Sequence, residues 1–117
     1  MARLSTHVLD TSRGKPAQGV MIDLAIRRNG RMESVKALTT NADGRTDEPL
    51  LSGDVLEPGV YELTFHAGDY FRRAGVELDK PPFLDQVIIR FGIADPAANY
   101  HVPLLLAPYG YSTYRGS

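Results

Sequence analysis

Three histidines, His7, His66 and His101, are the only side chains in this 117-residue chain whose ordinary pKa falls near neutrality, because the chain contains no cysteine. A general base working near pH 7 is therefore to be sought among them. His7 sits in Leu4-Ser5-Thr6-His7-Val8-Leu9-Asp10, where strand alternation turns it away from Thr6 and Val8. In the run Tyr100 to Ala107 the same alternation groups His101 with Pro103, Leu105 and Ala107, opposite Val102, Leu104 and Leu106. His66 shares its face with Glu62 and Thr64, which predicts a solvent-exposed role rather than a catalytic one. Arg45 follows a tight turn, a loop position from which a guanidinium reaches a carboxylate or a row of carbonyl oxygens; taken alone it reads as a surface arginine. Arg72 and Arg73 read as a solvated basic pair on a short helix.

Beyond these residues the chain is short of catalytic apparatus. It has no Gly-rich phosphate loop, nucleophile elbow or metal-ligand spacing, and the lack of cysteine removes thiolate nucleophiles, thiolate metal sites and disulfides together. The expected chemistry uses no cofactor and no metal. Thirteen basic against fourteen acidic residues give a formal charge of -1. That lacks the excess that phosphate-backbone binding requires, so nucleic acid is not expected as a partner. No apolar window approaches membrane-helix length and the segment Met1 to His7 holds no apolar signal core, so no membrane association and a cytoplasmic location are expected.

The elements that must hold these groups are strands. Val20, Ile22, Leu24 and Ile26 alternate with Met21, Asp23, Ala25 and Arg27, the period of a strand with one face in a core. Asn29-Gly30 then predicts a two-residue type I′ hairpin into a more polar edge strand from Arg31 to Thr40, ended by the turn Asn41-Ala42-Asp43-Gly44. Tyr61, Leu63 and Phe65 mark another strand, and Val87, Ile89 and Phe91 a further one. Between them, Asp69 as N-terminal anion and Gly75 as stop predict one or two helical turns from Asp69 to Ala74. Turn clusters at roughly ten-residue spacing predict an all-β, two-sheet sandwich with one short helix, in a single domain over residues 1–117.

The last strand differs from the others because both of its faces are apolar. Its second face needs cover, most simply from another copy of the chain, although loops of the same chain lying over a central strand explain it as well. Tyr109 and Tyr111 lie just beyond and extend that surface. Pro103 cannot donate to a ladder, and a bulge beside His101 is expected there. From Pro108 to Ser117 the tail is rich in aromatics and hydroxyls to its last residue, a composition that predicts docking rather than fraying.

Three segments resemble the 5-hydroxyisourate hydrolases, also called transthyretin-like proteins, and the resemblance runs along essentially the whole chain. They are Thr6-His7-Val8-Leu9-Asp10 with Gly14-Lys15-Pro16-Ala17, then Thr40-Asn41-Ala42-Asp43-Gly44-Arg45, and Tyr100-His101-Val102-Pro103-Leu104-Leu105 running into Pro108-Tyr109-Gly110-Tyr111-Ser112-Thr113. Tyr114-Arg115-Gly116-Ser117 matches the family's terminal tetrapeptide, and Ala107 stands where the family often has Ser. The resemblance implies a transthyretin-like sandwich of about eight strands, assembled as a homotetramer, a dimer of dimers, around a central channel. It implies active sites built from His7, Arg45 and His101 as catalytic residues, with Tyr114, Arg115, Gly116 and Ser117 binding the substrate.

The small-molecule substrate implied is 5-hydroxyisourate, opened hydrolytically to 2-oxo-4-hydroxy-4-carboxy-5-ureidoimidazoline. One histidine would take a proton from water as it attacks a ring carbonyl, and the other would orient that water or protonate the leaving nitrogen. Arg45 would steady the oxyanion, and Arg115 would hold the tail or the substrate. The rival reading is a non-catalytic transthyretin-like carrier, since fold alone never fixes function.

Overall fold

The computed structural model describes residues 2–116, apart from the side chain of Asp54. Ser117, expected above in the substrate site, lies outside the described residues. Strands dominate: β1 (Arg3–Asp10), β2 (Lys15–Pro16), β3 (Met21–Arg28), β4 (Arg31–Thr39), β5 (Leu51–Ser52), β6 (Gly59–His66), β7 (Gln86–Ile93), β8 (Tyr100–Ala107) and β9 (Gly110–Thr113). A single 3-10 turn, Gly53–Val55, and one helix, α1 (Ala67–Arg73), complete the described elements. One sheet has the order β2-β1-β8-β9, with β5 also on β1, and the other has the order β4-β3-β6-β7. This is the expected all-β sandwich. No described helix is long and apolar enough to cross a membrane.

Alternation in the sequence becomes burial in the fold. Ile22, Leu24, Tyr61, Leu63 and Phe65 from one sheet meet Leu4, Val8, Leu104 and Leu106 from the other, all of them fully buried. Each such aliphatic or aromatic side chain contributes about 2 kcal/mol relative to exposure. Asn29 and Gly30 both take positive φ, +54° and +77°, as the type I′ turn requires, and β4 is an edge strand as expected.

Three expectations need correction. The helix begins at Ala67, not Asp69, because Ala67, Tyr70 and Phe71 form its buried stripe; Asp69 is instead paired with Arg72 at 2.9 Å. Gly75 does end it, in a Schellman arrangement with Gly75 N–H donating to the Arg72 carbonyl and Val76 N–H to that of Phe71. The side chain of His66 is only 19% exposed, and its Nε2 meets Asp23 at 2.8 Å.

No bulge occurs at Pro103 either. The β1–β8 ladder runs without a register shift, with His7 opposite Pro103; the described bulge lies between Leu24 and Ala25 of β3. The Pro103 carbonyl accepts from Thr113 Oγ1 at 2.7 Å, so its nitrogen also faces the tail. The β8–β9 backbone ladder stops at the pair Leu104–Thr113, and backbone pairing resumes at the His101–Gly116 bridge. Pro103 falls in the gap, where no ladder donor is required.

Candidate active site

β1 and β8 lie side by side and parallel, with Ser5 opposite His101 and His7 opposite Pro103. Their core-facing residues alternate with an outer set, Ser5, His7 and Leu9 on β1 and His101, Pro103, Leu105 and Ala107 on β8. Both histidines therefore stand on the outer face of one sheet, on neighbouring strands, one step apart along the diagonal. A polar cleft of about 330 Å³ opens beside them, lined by Arg3, Ser5, Arg45, Asn99, Tyr100 and His101. Arg3, Ser5 and Arg45 also border an adjoining cleft of about 270 Å³. A larger cleft of about 360 Å³ lies elsewhere, among Arg13, Lys15, Tyr70 and Arg73, and holds no histidine.

The turn that carries Arg45 is fastened to β1 by its backbone. Asn41 Oδ1 accepts the amides of Asp43 and Arg45, and Gly44 donates to the Asn41 carbonyl at 2.9 Å. The Gly44 carbonyl in turn accepts Val8 N–H at 2.8 Å. A side chain at residue 44 would run into the Val8 carbonyl oxygen, and φ there is +75°, so only glycine lets the turn lie this close. Thr40, buried at the root of the turn, donates to the Ala17 carbonyl at 2.7 Å and accepts Val20 N–H at 2.9 Å.

This attachment fixes His7. Its Nε2 lies 2.9 Å from the Asp43 carbonyl oxygen. A carbonyl only accepts, so Nε2 carries the hydrogen and, in the neutral ring, Nδ1 keeps the lone pair. His101 Nδ1 meets Ser5 Oγ at 2.9 Å. Burial first, then the Arg45 guanidinium and the proximity of His7, hold the His101 pKa below the ordinary 6.5. At neutral pH this imidazole is unprotonated and competent to take a proton.

The tail crosses the same strand end. Gly116 N–H donates to the His101 carbonyl at 2.7 Å, and the Arg115 guanidinium carbon lies 4.3 Å from the centre of the Tyr100 ring. Tyr100 is a core residue whose hydroxyl accepts the amides of Ala94 and Asp95, so Arg115 anchors the tail on a rigid platform. Tyr114 is exposed.

Residues 4–116 match the model of the HIUase/Transthyretin family. The chain belongs to that family. It is 58% identical over 115 residues to 5-hydroxyisourate hydrolase 2 of Rhizobium meliloti, covering 98% of this chain and 96% of that protein. Among solved structures it resembles the 5-hydroxyisourate hydrolase of Klebsiella pneumoniae, with a TM-score of 0.81, 42% identity and full coverage of both chains. It also resembles an (S)-allantoin synthase, with a TM-score of 0.94 and 43% identity over 99% of this chain; the chain spans 44% of that protein's length.

For this member of the HIUase/Transthyretin family, four of the residues expected from sequence, His7, Arg45, His101 and Gly116, come together around β1 and β8. Arg45 and His101 line the cleft, Gly116 bridges to His101, and His7 stands on the adjoining strand position, bonded to the Arg45 turn. Sequence reasoning missed Ser5, Arg3 and Asn99, which line the cleft, and the Asp43 carbonyl. Ser5 and Arg3 had a signal, since they precede His7 by two and four residues on one face of a strand.

Proposed function

We propose that the chain hydrolyses 5-hydroxyisourate, opening its six-membered ring to 2-oxo-4-hydroxy-4-carboxy-5-ureidoimidazoline without a cofactor. The observation that carries this reading is the placement of His101: its imidazole lines a polar cleft together with Arg45, bonded to Ser5 and bridged by Gly116, where burial first and then Arg45 lower its pKa. His101 takes a proton from water as the water oxygen bonds to the ring carbonyl carbon, while His7 orients that water through Nδ1. Arg45 stabilises the oxyanion that forms. When the carbon–nitrogen bond breaks, the His101 imidazolium returns the proton to the leaving nitrogen. Tyr114, Arg115, Gly116 and Ser117 shape the substrate's side of the site, Arg115 by holding the tail on Tyr100.

The names and identities of the relatives support the same activity and disfavour the carrier reading, as does a site built around a titratable base. The proposal includes a homotetramer in the cytoplasm. The outer face of β8 supports the assembly, because Leu105 and Ala107 are left only half-buried there, apolar side chains on the same face as His101. Generating 5-hydroxyisourate in situ from urate with urate oxidase, and following its decay with and without this protein, tests the activity. Faster decay is expected from the wild type, and a roughly 10² to 10⁴-fold loss from His101→Ala with assembly unchanged in sedimentation. Unaltered decay on adding the wild-type protein overturns the enzyme reading in favour of the carrier.

A further inference from the structure

We infer that Ser5 is the positioning residue of His101, holding its imidazole in the one tautomer that leaves Nε2 free to act as the base. The inference rests on the assignment of His101 as base in the proposed hydrolysis. Ser5 and His101 are 96 residues apart in sequence, yet the parallel register sets them directly opposite, with Oγ and Nδ1 at 2.9 Å. Ser5 is half-buried and lines the same cleft as His101 and Arg45. Its neighbour Thr6 points into the core, where its hydroxyl donates to the Val102 carbonyl at 2.7 Å, so the strand around Ser5 is pinned.

The two edges of the ring nearest the backbone are thereby occupied. Nδ1 faces Ser5, and Cδ2 faces Gly116, where a Cβ would come within 3.0 Å of it. The outer edge, which carries Nε2, is directed away from the sheet. A general base alternates between imidazole and imidazolium, and in the imidazolium both nitrogens carry hydrogen. Only one arrangement serves both states without turning the ring: Nδ1–H donates to the Ser5 oxygen throughout, and Nε2 alone gains and loses the proton. Without the Ser5 acceptor, the neutral ring is free to place its hydrogen on Nε2, which turns the base nitrogen into a donor. Ser5 acts through His101 and makes no bond to the reacting atoms.

Long-range proton–nitrogen NMR correlations of the His101 ring, recorded above its titration, test the tautomer directly. The wild-type ring is expected to carry its hydrogen on Nδ1, Ser5→Ala to shift population to Nε2–H, and Ser5→Thr, which keeps the hydroxyl, to retain the wild-type pattern. In turnover, Ser5→Ala is expected to lower kcat by about tenfold, the scale of one lost hydrogen bond to the charged state, with KM within about twofold. Ser5→Thr should restore most of it.

A wild-type spectrum with the hydrogen on Nε2 overturns the inference, as does a Ser5→Ala protein with unchanged tautomer and unchanged kcat. The wild-type spectrum decides the matter even if a variant fails to fold. Wild-type protein without hydrolase activity sinks the functional reading instead, and leaves the tautomer measurement standing on its own.

Discussion

Gly116 lies against the imidazole of His101: a Cβ at position 116 would stand 3.0 Å from the histidine Cδ2 and 3.2 Å from its Cβ. The amide of the same glycine donates to the His101 carbonyl at 2.7 Å, so tail and base are held as one unit. Gly116→Ala forces either the ring or the tail to move by a few tenths of an ångström. Because rate is more sensitive than stability to such a displacement, kcat should fall by about tenfold while the melting temperature stays within about 2 °C of wild type. Single-turnover kinetics beside calorimetry measures both, and undiminished kcat removes the tail from the catalytic machinery.

Arg45 and His101 give a pH signature. The His101 pKa is lowered by burial first, then by Arg45 and His7. Since the neutral ring is the active form, activity persists below pH 6.5 and declines as pH falls through the lowered pKa. Arg45→Ala removes one of the causes and should move that acid limb up toward 6.5, besides weakening the oxyanion. The stability sign is the usual one for a depressed pKa. Above 6.5 neither state binds the proton; below it the unfolded chain binds first, so stability drops as pH falls through the folded value. A pH–kcat profile of Arg45→Ala with its acid limb unmoved, or moved downward, contradicts this electrostatic pairing.

How much of this was legible before the fold was known depends on the range of the interaction. The periods of β3, β6 and β8 and the Asn29-Gly30 turn are local, and they read directly into burial and positive φ. The aromatic tail also read correctly as a docked end, since β9 pairs with β8 and Gly116 bridges to His101. The pairing of β1 with β8 is non-local, and no feature of either segment says which strand lies beside it, so Ser5 could not be joined to His101. The partner of His7 is a main-chain carbonyl, which leaves no trace in residue types. The start of α1 moved because tertiary burial of Ala67 outweighed the N-terminal preference of Asp69. Pro103 misled because its missing donor matters only where a ladder continues.

Gly44 gives a prediction that separates scaffold from chemistry. An alanine there must hold φ near +75° and displace the Val8 carbonyl from its place against the turn. Strain of that kind costs about 2 kcal/mol, and it is concentrated where Asp43 holds His7 and where Arg45 enters the cleft. Gly44→Ala should therefore lower the denaturation midpoint and, below that midpoint, show a kcat loss larger than that of an equally destabilised core variant such as Val20→Ala. Equal losses in the two variants at matched stability identify the turn as structural support only.

Away from the cleft, Tyr70 and Asp10 supply a control for all of these comparisons. Asp10 is fully buried at the end of β1; its Oδ1 accepts from Ser12 N–H at 3.0 Å, Ser12 Oγ at 2.5 Å and Arg13 N–H at 3.2 Å, and its Oδ2 from the Tyr70 hydroxyl at 2.7 Å. Burial and the adjacent Asp10 both raise the Tyr70 pKa, so the phenol remains a donor across the working pH range. Tyr70→Phe keeps the ring in its place on α1 but leaves Oδ2 without its partner, at a cost of about 2 kcal/mol. For a chain of this size that corresponds to a fall of roughly 5 to 10 °C in melting temperature. No atom of this pair lines the histidine cleft, so kcat at 25 °C and the acid limb of the pH profile should match the wild type. A Tyr70→Phe protein that melts normally, or one that loses turnover while still folded, shows that the β1 end is coupled to the site in a way these contacts do not describe.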